Sequence, residues 1–412
     1  MVRILHGADI HLGSQLSGLV PYEGAPQIDV STATRRAFER LVELAIEERV
    51  ELVLLAGDVF DGEWPDLNTG LHFARQLDKL REANIPVVMI RGNHDAANLM
   101  TTRWLDLKEL CRVLPHDRPD SVQFDHIGVV VHGQSYATRA VTNNLVRNYP
   151  HRREGLVNIG LLHTALDGRE GHERYAPCTL DDLDALGYDY WALGHVHARE
   201  EQTTARGTPV IFPGNTQGRH CNEVGKKGVY IVEADGNDIS WRFRPTHLVE
   251  WQILHVDMTG VSNRDAVLDR VAERIERFAD GLPDDPEVFA VRIELVGGTA
   301  INLELRGEEE WLLGEARNTA AHVGSERIWV EGLRISTVSS DGAHQGIIEP
   351  RVWEAVEEAV QELTLDSLRL NEDVSKLLQQ MRGLKIPSEE LIAEDRLREE
   401  VLARVLRALR KS

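Results

Sequence analysis

Short apolar runs alternate with amphipathic stretches through the first hundred residues of the chain. Val2–Leu5 reads as a strand. After a loop rich in Gly and Pro, Phe38, Leu41, Val42, Ala45 and Ile46 recur at helical spacing, and Leu52–Ala56 reads as the next strand. Leu67, Leu71, Ala74 and Leu77 mark a second helix, and Ile85–Ile90 a third strand. Further apolar runs stand at Ile127–Val131, Val157–Leu162, Tyr190–Leu193 and Val229–Val232. Unbroken apolar strands separated by amphipathic helices predict an α/β fold, a layered sheet or sandwich with its strands buried on both faces.

The texture changes at Trp251. A strand over Trp251–Val256, a helix around Val267–Phe278, a turn over Gly281–Pro286 and a strand near Val288–Val296 predict a smaller α/β domain over residues 251–340. Beyond Ile347 the pattern is helical. It ends in Ser388–Leu409, where Leu391, Val401, Leu402, Val405 and Leu409 form a stripe. Ser388 fits an N-cap, Glu389 and Glu390 the first turn, and Arg407, Arg410 and Lys411 the last. The expected organisation is therefore 1–250, 251–340 and a helical 341–412.

Composition narrows the classes. At 412 residues the chain exceeds one ordinary core, and 42% hydrophobic residues are ample for burial. A net charge of −21 repels nucleic acid on average, so any such contact needs a local basic face. Cys111, Cys178 and Cys221 are too few and too dispersed for a disulfide framework and suit a reducing compartment. No apolar run approaches the ~18–20 residues of a membrane span. Asp9 and His11 interrupt what a signal peptide would need, so a cytoplasmic protein is expected.

The chemistry lies where the strand runs end. Asp9 and His11 follow the first strand, Asp58 and Asp61 the second, and Asn93, His94 and Asp95 the third. His163 closes Leu161–Leu162, and His195 and His197 follow Trp191–Leu193. Each piece alone has an ordinary reading as a turn, a solvated loop or a satisfied histidine; their recurrence after successive strands does not. Ligand sites of α/β sheets lie beyond the carboxyl ends of the strands, where these segments can converge. Imidazole, carboxylate and amide oxygen without thiolate suit catalytic Mn, Fe or Zn. Such groups are too many for one tetrahedral ion and fit two ions about 3.5–4 Å apart, the arrangement that clamps both oxygens of an in-line phosphoryl displacement.

The ordered set Asp9-x-His11, Gly57-Asp58-x-x-Asp61, Gly92-Asn93-His94-Asp95, His163 and Gly194-His195-x-His197 resembles the calcineurin-like metallophosphoesterase superfamily. Three further stretches are similar to its SbcD/YhaO type of DNA repair exonuclease: His6–Gly13; Phe212–His220 with Glu223 and Gly225–Gly228; and Tyr175–Cys178 with Tyr190–His195. The resemblance covers roughly residues 1–250. It implies a layered α/β/β/α sandwich with a smaller α/β capping domain and a helical tail. It implies one cation on Asp9, His11, Asp58 and His197 and a second on Asp58, Asn93, His163 and His195, most simply Mn²⁺, with Fe or Zn as alternatives. His94 would stabilise phosphorane-like charge or protonate the departing oxygen, and Asp61 and Asp95 would orient ligands. DNA ends or single strands, an SMC-type ATPase gripping the C-terminal helices and a second copy of the chain are the implied partners, with no membrane.

Local basic character is found in Gly133–Arg153, which carries Arg139, Arg147, Arg152 and Arg153 with Tyr136 and Tyr149 and lacks acids. It is the expected face for a phosphate backbone, with the tyrosines stacking on bases, and Arg219 and His220 are a second expected phosphate contact. Two rival readings are a small-molecule phosphodiesterase or phosphomonoesterase of the same fold, and a scaffold with structural ions that binds an ATPase.

Overall fold

The computed structural model describes residues 1–340 except 63–66, 97–106, 108, 167–174, 237 and 324–325. The expected C-terminal stripe from Leu391 to Leu409 therefore lies outside the described residues.

In chain order the elements are β1 (Val2–Gly7), α1 (Ala33–Glu47), β2 (Leu52–Ala56), α2 (Leu67–Glu82), β3 (Val87–Ile90) and the single-turn α3 (Asn93–Ala96). There follow β4 (Arg112–Val113), β5 (Asp120–Phe124), β6 (Val129–Gly133), β7 (Val157–His163), α4 (Leu180–Ala185), β8 (Tyr190–Gly194), β9 (Glu200–Thr203) and β10 (Pro209–Phe212). Then come β11 (Gly228–Asp235), β12 (Asp238–Pro245), β13 (Val249–Asp257), α5 (Arg264–Asp280), β14 (Val288–Thr299), α6 (Asn302–Arg306), α7 (Glu309–His322) and β15 (Ile328–Ser339).

Two six-stranded sheets, ordered β12-β11-β1-β2-β3-β4 and β5-β6-β7-β8-β10-β9, form the first compact unit: Met1–Pro21, Pro26–Gln252 and Pro283–Ala290. Alternation along each strand builds three apolar layers. Ile4, Leu52, Leu54 and Val88 of one sheet meet Val131, Ile159, Leu161 and Ala192 of the other. Leu5, Val53 and Leu55 point the opposite way, onto Phe38 and Leu41 of α1 and Phe73 and Leu77 of α2. Leu162, Trp191 and Leu193 pack outward on Leu183 of α4 and on Tyr149 and Tyr188. This is the layered α/β/β/α sandwich. Its central strands are buried on both faces, which is why they read as continuous apolar runs.

Two helix stripes differ from expectation. Leu71 is 53% exposed and Ile46 38%; α2 buries Leu77 as expected, together with Phe73 and Leu80.

The second unit holds Tyr22–Ala25, Ile253–Leu282 and the chain from Val291. A three-stranded sheet ordered β13-β14-β15 accompanies α5, capped by Asn263 on the amide of Ala266, and α7. Arg317 of α7 lies over the Tyr22 ring, 4.2 Å from its centre, and the Tyr22 hydroxyl accepts from the Val330 amide. No helix of the described residues is long and apolar enough to cross a membrane. Cys111, Cys178 and Cys221 are all free thiols, and burial raises that of Cys111 to about 12.

Candidate metal centre

Parallel pairing of β1 with β2, β2 with β3 and β7 with β8 brings five carboxyl-terminal strand ends together. The loops there are stitched to one another: the Asp9 amide donates to Gly57, His11 to Asp58 and Leu12 to Val59. Four of the seven non-glycine residues with positive φ among the described residues are Asp9 (49°), His11 (46°), Asp58 (50°) and His195 (102°). Such backbone is unfavourable for L-residues and persists where surrounding contacts impose it.

The motif glycines admit close approach. A Cβ on Gly92 would stand 2.3 Å from Asp58 Oδ1, and one on Gly194 would stand 2.1 Å from the Ala56 carbonyl oxygen.

Three ligand-like triads result among the described residues, Asp9, His11 and His197; Asp58, His163 and His195; and His11, Asp61 and His94, each with donor atoms within 4.8 Å of one another. His163 Nδ1 lies 2.8 Å from the Ala56 carbonyl, which can only accept, so Nδ1 carries the proton. Its Nε2 then faces Asn93 Oδ1 at 3.0 Å and Asp58 Oδ2 at 3.4 Å, bringing lone pairs face to face. His197 repeats the pattern. Its Nδ1 donates to Glu223 Oε1 at 2.7 Å, leaving Nε2 3.1 Å from His11 Nε2 and 3.9 Å from Asp9 Oδ1. A proton or a cation between such groups satisfies them, and these residues fit divalent cations.

Electrostatics agree. Burial opposes a charge on His163, but Asp58 and Asp9 outweigh it and raise its pKa to about 9, so a proton takes the position a cation would fill. Burial acts to raise Asp58 too; the neighbouring His163 overcomes it and holds the carboxyl well below the usual range. Asp9 is pushed up by burial and accepts the His195 amide on both oxygens. Burial lowers His11 to about 4.

Carboxylates hold the outer faces of the imidazoles. Asp61 Oδ1 lies 2.9 Å from His94 Nδ1 and 3.4 Å from His11 Nδ1, and hydrogen bonds from both keep its carboxyl far below the usual range. The same contact raises His94. Asp95, buried and raised to about 6 by desolvation, accepts the amides of Val59, Phe60 and Gly92, fixing the two loops that carry Asp58 and Asn93. Glu223, quoted above only within a motif, orients His197 and also accepts from the Asn215 side chain at 2.9 Å. It stands far from His197 in sequence, so nothing local pairs the two.

The residues of the expected basic face fall in different surroundings. Arg139 is near enough to His94 for its charge to oppose the imidazolium. Arg147 acts instead on Asp182. Arg153 anchors by its amide to Asn158, at the start of β7, about 16 Å of strand from His163, and its guanidinium donates to Gln123. Arg152 pairs with Asp189, just before β8. Tyr136 is buried with its ring edge-on to His163, and Tyr149 is buried with its hydroxyl on the Leu161 carbonyl, so neither offers a face to bases. Arg219 spans Asp61 and Glu223, and His220 lies 3.6 Å from Glu223.

Residues 2–199 match the calcineurin-like phosphoesterase family, and 251–338 match the middle domain of the metallophosphoesterase YhaO. The uncharacterized metallophosphoesterase YhaO of Bacillus subtilis is 34% identical over 77% of this chain and 75% of its own length. The DNA double-strand break repair protein Mre11 of Methanopyrus kandleri is 26% identical over 81% of this chain and 76% of its own. The protein of that name from Haloferax volcanii is 26% identical over 98% and 81%.

Proposed function

The chain belongs to the calcineurin-like metallophosphoesterase family, and on that premise we propose that it hydrolyses phosphodiester bonds of DNA with a pair of divalent cations, Mn²⁺ first among them. The observation that carries the two-cation reading is the facing of lone pairs at His163, Asn93 and Asp58 and at His197, His11 and Asp9.

In this reading Asp9, His11, Asp58 and His197 hold one cation, and Asp58, Asn93, His163 and His195 the other. Bound there, the cations supply electrophilic charge to phosphoryl oxygens and make water a competent nucleophile near neutral pH. The chain's own groups set the geometry. Asp58 would serve both cations: its Oδ2 lies 3.4 Å from His163 Nε2, while the His94 amide donates to its Oδ1 at 2.9 Å. His94, held at Nδ1 by Asp61, offers Nε2 to the departing oxygen. Asp95 and Glu223 hold the loops and the His197 ring in register.

Support for DNA as substrate, and for an SMC-type ATPase and a second copy of the chain as partners, comes from the resemblance and from relatives named for double-strand break repair. Arg139 beside His94 supplies local positive charge in a strongly acidic chain. The test is labelled single- and double-stranded DNA with Mn²⁺, Mg²⁺ or chelator, beside His94→Ala. Metal-dependent cleavage that chelator and the substitution both abolish is expected. Turnover of a chromogenic diester with intact DNA would favour the small-molecule reading, and no turnover of either would favour the scaffold.

A further inference from the structure

We propose that Arg219 is a positioning residue that ties the two orienting carboxylates, Asp61 and Glu223, into one strap behind three imidazoles. The inference rests on the two-cation reading of the site.

Asp61 and Glu223 come from loops distant in sequence, and between them they hold His11, His94 and His197 by the Nδ1 atoms. Arg219 joins them. Its Nη1 lies 3.5 Å from Asp61 Oδ2 and its Nη2 3.4 Å from Glu223 Oε1. Its own amide donates to Glu223 Oε2 at 2.6 Å, and its carbonyl accepts from the Ser17 amide at 2.8 Å, so the backbone is fixed at both sides. The side chain is only 16% exposed.

An arginine that clamps substrate phosphate presents its terminal nitrogens to open space; here Nη1 faces Asp61 and the Ser14 hydroxyl, and Nη2 faces Glu223 and the His197 ring. The planar fork matters, since one guanidinium reaches two acids at fixed separation, whereas an ammonium is a single point. Charge matters as well. Asp61 and Glu223 add two negative charges behind a site that already holds Asp9 and Asp58, and Arg219 offsets part of that repulsion without occupying a ligand position. Without it, Asp61 and Glu223 are free to turn toward the imidazoles or toward solvent, and the orientations of His11 and His197 loosen together.

The experiment is Mn²⁺ titration calorimetry on wild type, Arg219→Gln and Arg219→Lys. It is paired with hydrolysis of bis(p-nitrophenyl) phosphate at saturating Mn²⁺ and with inhibition by inorganic phosphate. Both variants are expected to bind Mn²⁺ about 10–100-fold more weakly, the usual cost of losing an orienting group. KM and phosphate inhibition at saturating metal should stay within about two-fold of wild type. Unchanged Mn²⁺ affinity with raised KM and weaker phosphate inhibition would make Arg219 a substrate clamp and overturn the proposal. Lysine binding Mn²⁺ as tightly as arginine would overturn the spanning role. Unfolding of the metal-free proteins checks the fold, and if Arg219→Gln does not fold, Arg219→Lys decides. A wild type that binds no Mn²⁺ refutes the two-cation reading itself, whereas two ions bound equally well by wild type and both variants refutes only the strap.

Discussion

Glu223 accepts a 2.7 Å hydrogen bond from Nδ1 of His197, and that contact decides which nitrogen of the imidazole faces Asp9 and His11. Carboxylate partners of this kind fix tautomer and ring orientation at metal sites. Glu223→Ala is therefore expected to weaken Mn²⁺ binding roughly 10–100-fold, measurable by calorimetry. Glu223→Gln, which can still accept at Nδ1, should recover part of the loss. Equal affinity in all three proteins would separate Glu223 from the metal centre.

Asp58, whose Oδ2 lies 3.4 Å from His163 Nε2, is the carboxylate proposed to serve both cations. Asp58→Asn removes the charge that holds His163 protonated in the metal-free chain and leaves one good ligand oxygen. Metal content by mass spectrometry should fall from two ions per chain to one or none, with diester hydrolysis down by about 10³-fold or more, the scale of losing electrostatic stabilisation at a reacting centre. Retention of both ions would show that another group bridges them.

Gly92→Ala tests steric closeness without replacing a ligand. Its Cβ would come 2.3 Å from Asp58 Oδ1 and 2.8 Å from the Asp58 amide nitrogen, one of which is backbone and cannot simply swing away. A displacement near 1 Å costs about 10²-fold in rate, so kcat at saturating Mn²⁺ should fall by that order. Wild-type turnover in this variant would mean that the loop yields freely.

Most central strands were legible because strands buried on both faces read as continuous apolar runs that stop at polar residues, although β10, buried throughout, was not read as one. Edge strands were not. β5, β9 and β12 lie at sheet edges with partly exposed, alternating residues such as Glu200–Thr203, which resemble loops. In the second unit β15 and α7 were missed, since Trp311 and Gly314 blur the stripe of α7. Charge was misread for a related reason. Arg152 and Arg153 are near His163 in sequence, yet a strand separates them from it, and no pattern of residues announces which end of β7 they occupy.

Arg152→Glu with Arg153→Glu is accordingly expected to leave DNA hydrolysis unchanged. Arg139→Glu, beside His94, should raise KM for DNA by about 10-fold, one lost phosphate contact, with a smaller effect on a small diester. Gel-based cleavage assays at fixed salt distinguish the two. A large loss from the double substitution would restore the long basic face.

His6 is fully buried, and its Nε2 must donate to the Leu193 carbonyl at 3.1 Å, so its Nδ1 accepts from the Tyr190 hydroxyl at 3.0 Å. Burial lowers its pKa to about 3. The unfolded chain then binds more protons between about pH 6.5 and 3, so stability from neutral His6 is complete above 6.5 and is lost as pH falls through that window, by at most ~1.4 kcal/mol per pH unit. Urea midpoints of the metal-free protein should drop more steeply from pH 7 to 5 in wild type than in His6→Gln. Parallel curves would show that His6 is not buried neutral.

Anomalous diffraction from crystals soaked in Mn²⁺ tests the centre most directly. Two peaks are expected, one contacted by Asp9, His11, Asp58 and His197 and one by Asp58, Asn93, His163 and His195. A single peak, or peaks away from these side chains, would contradict the account.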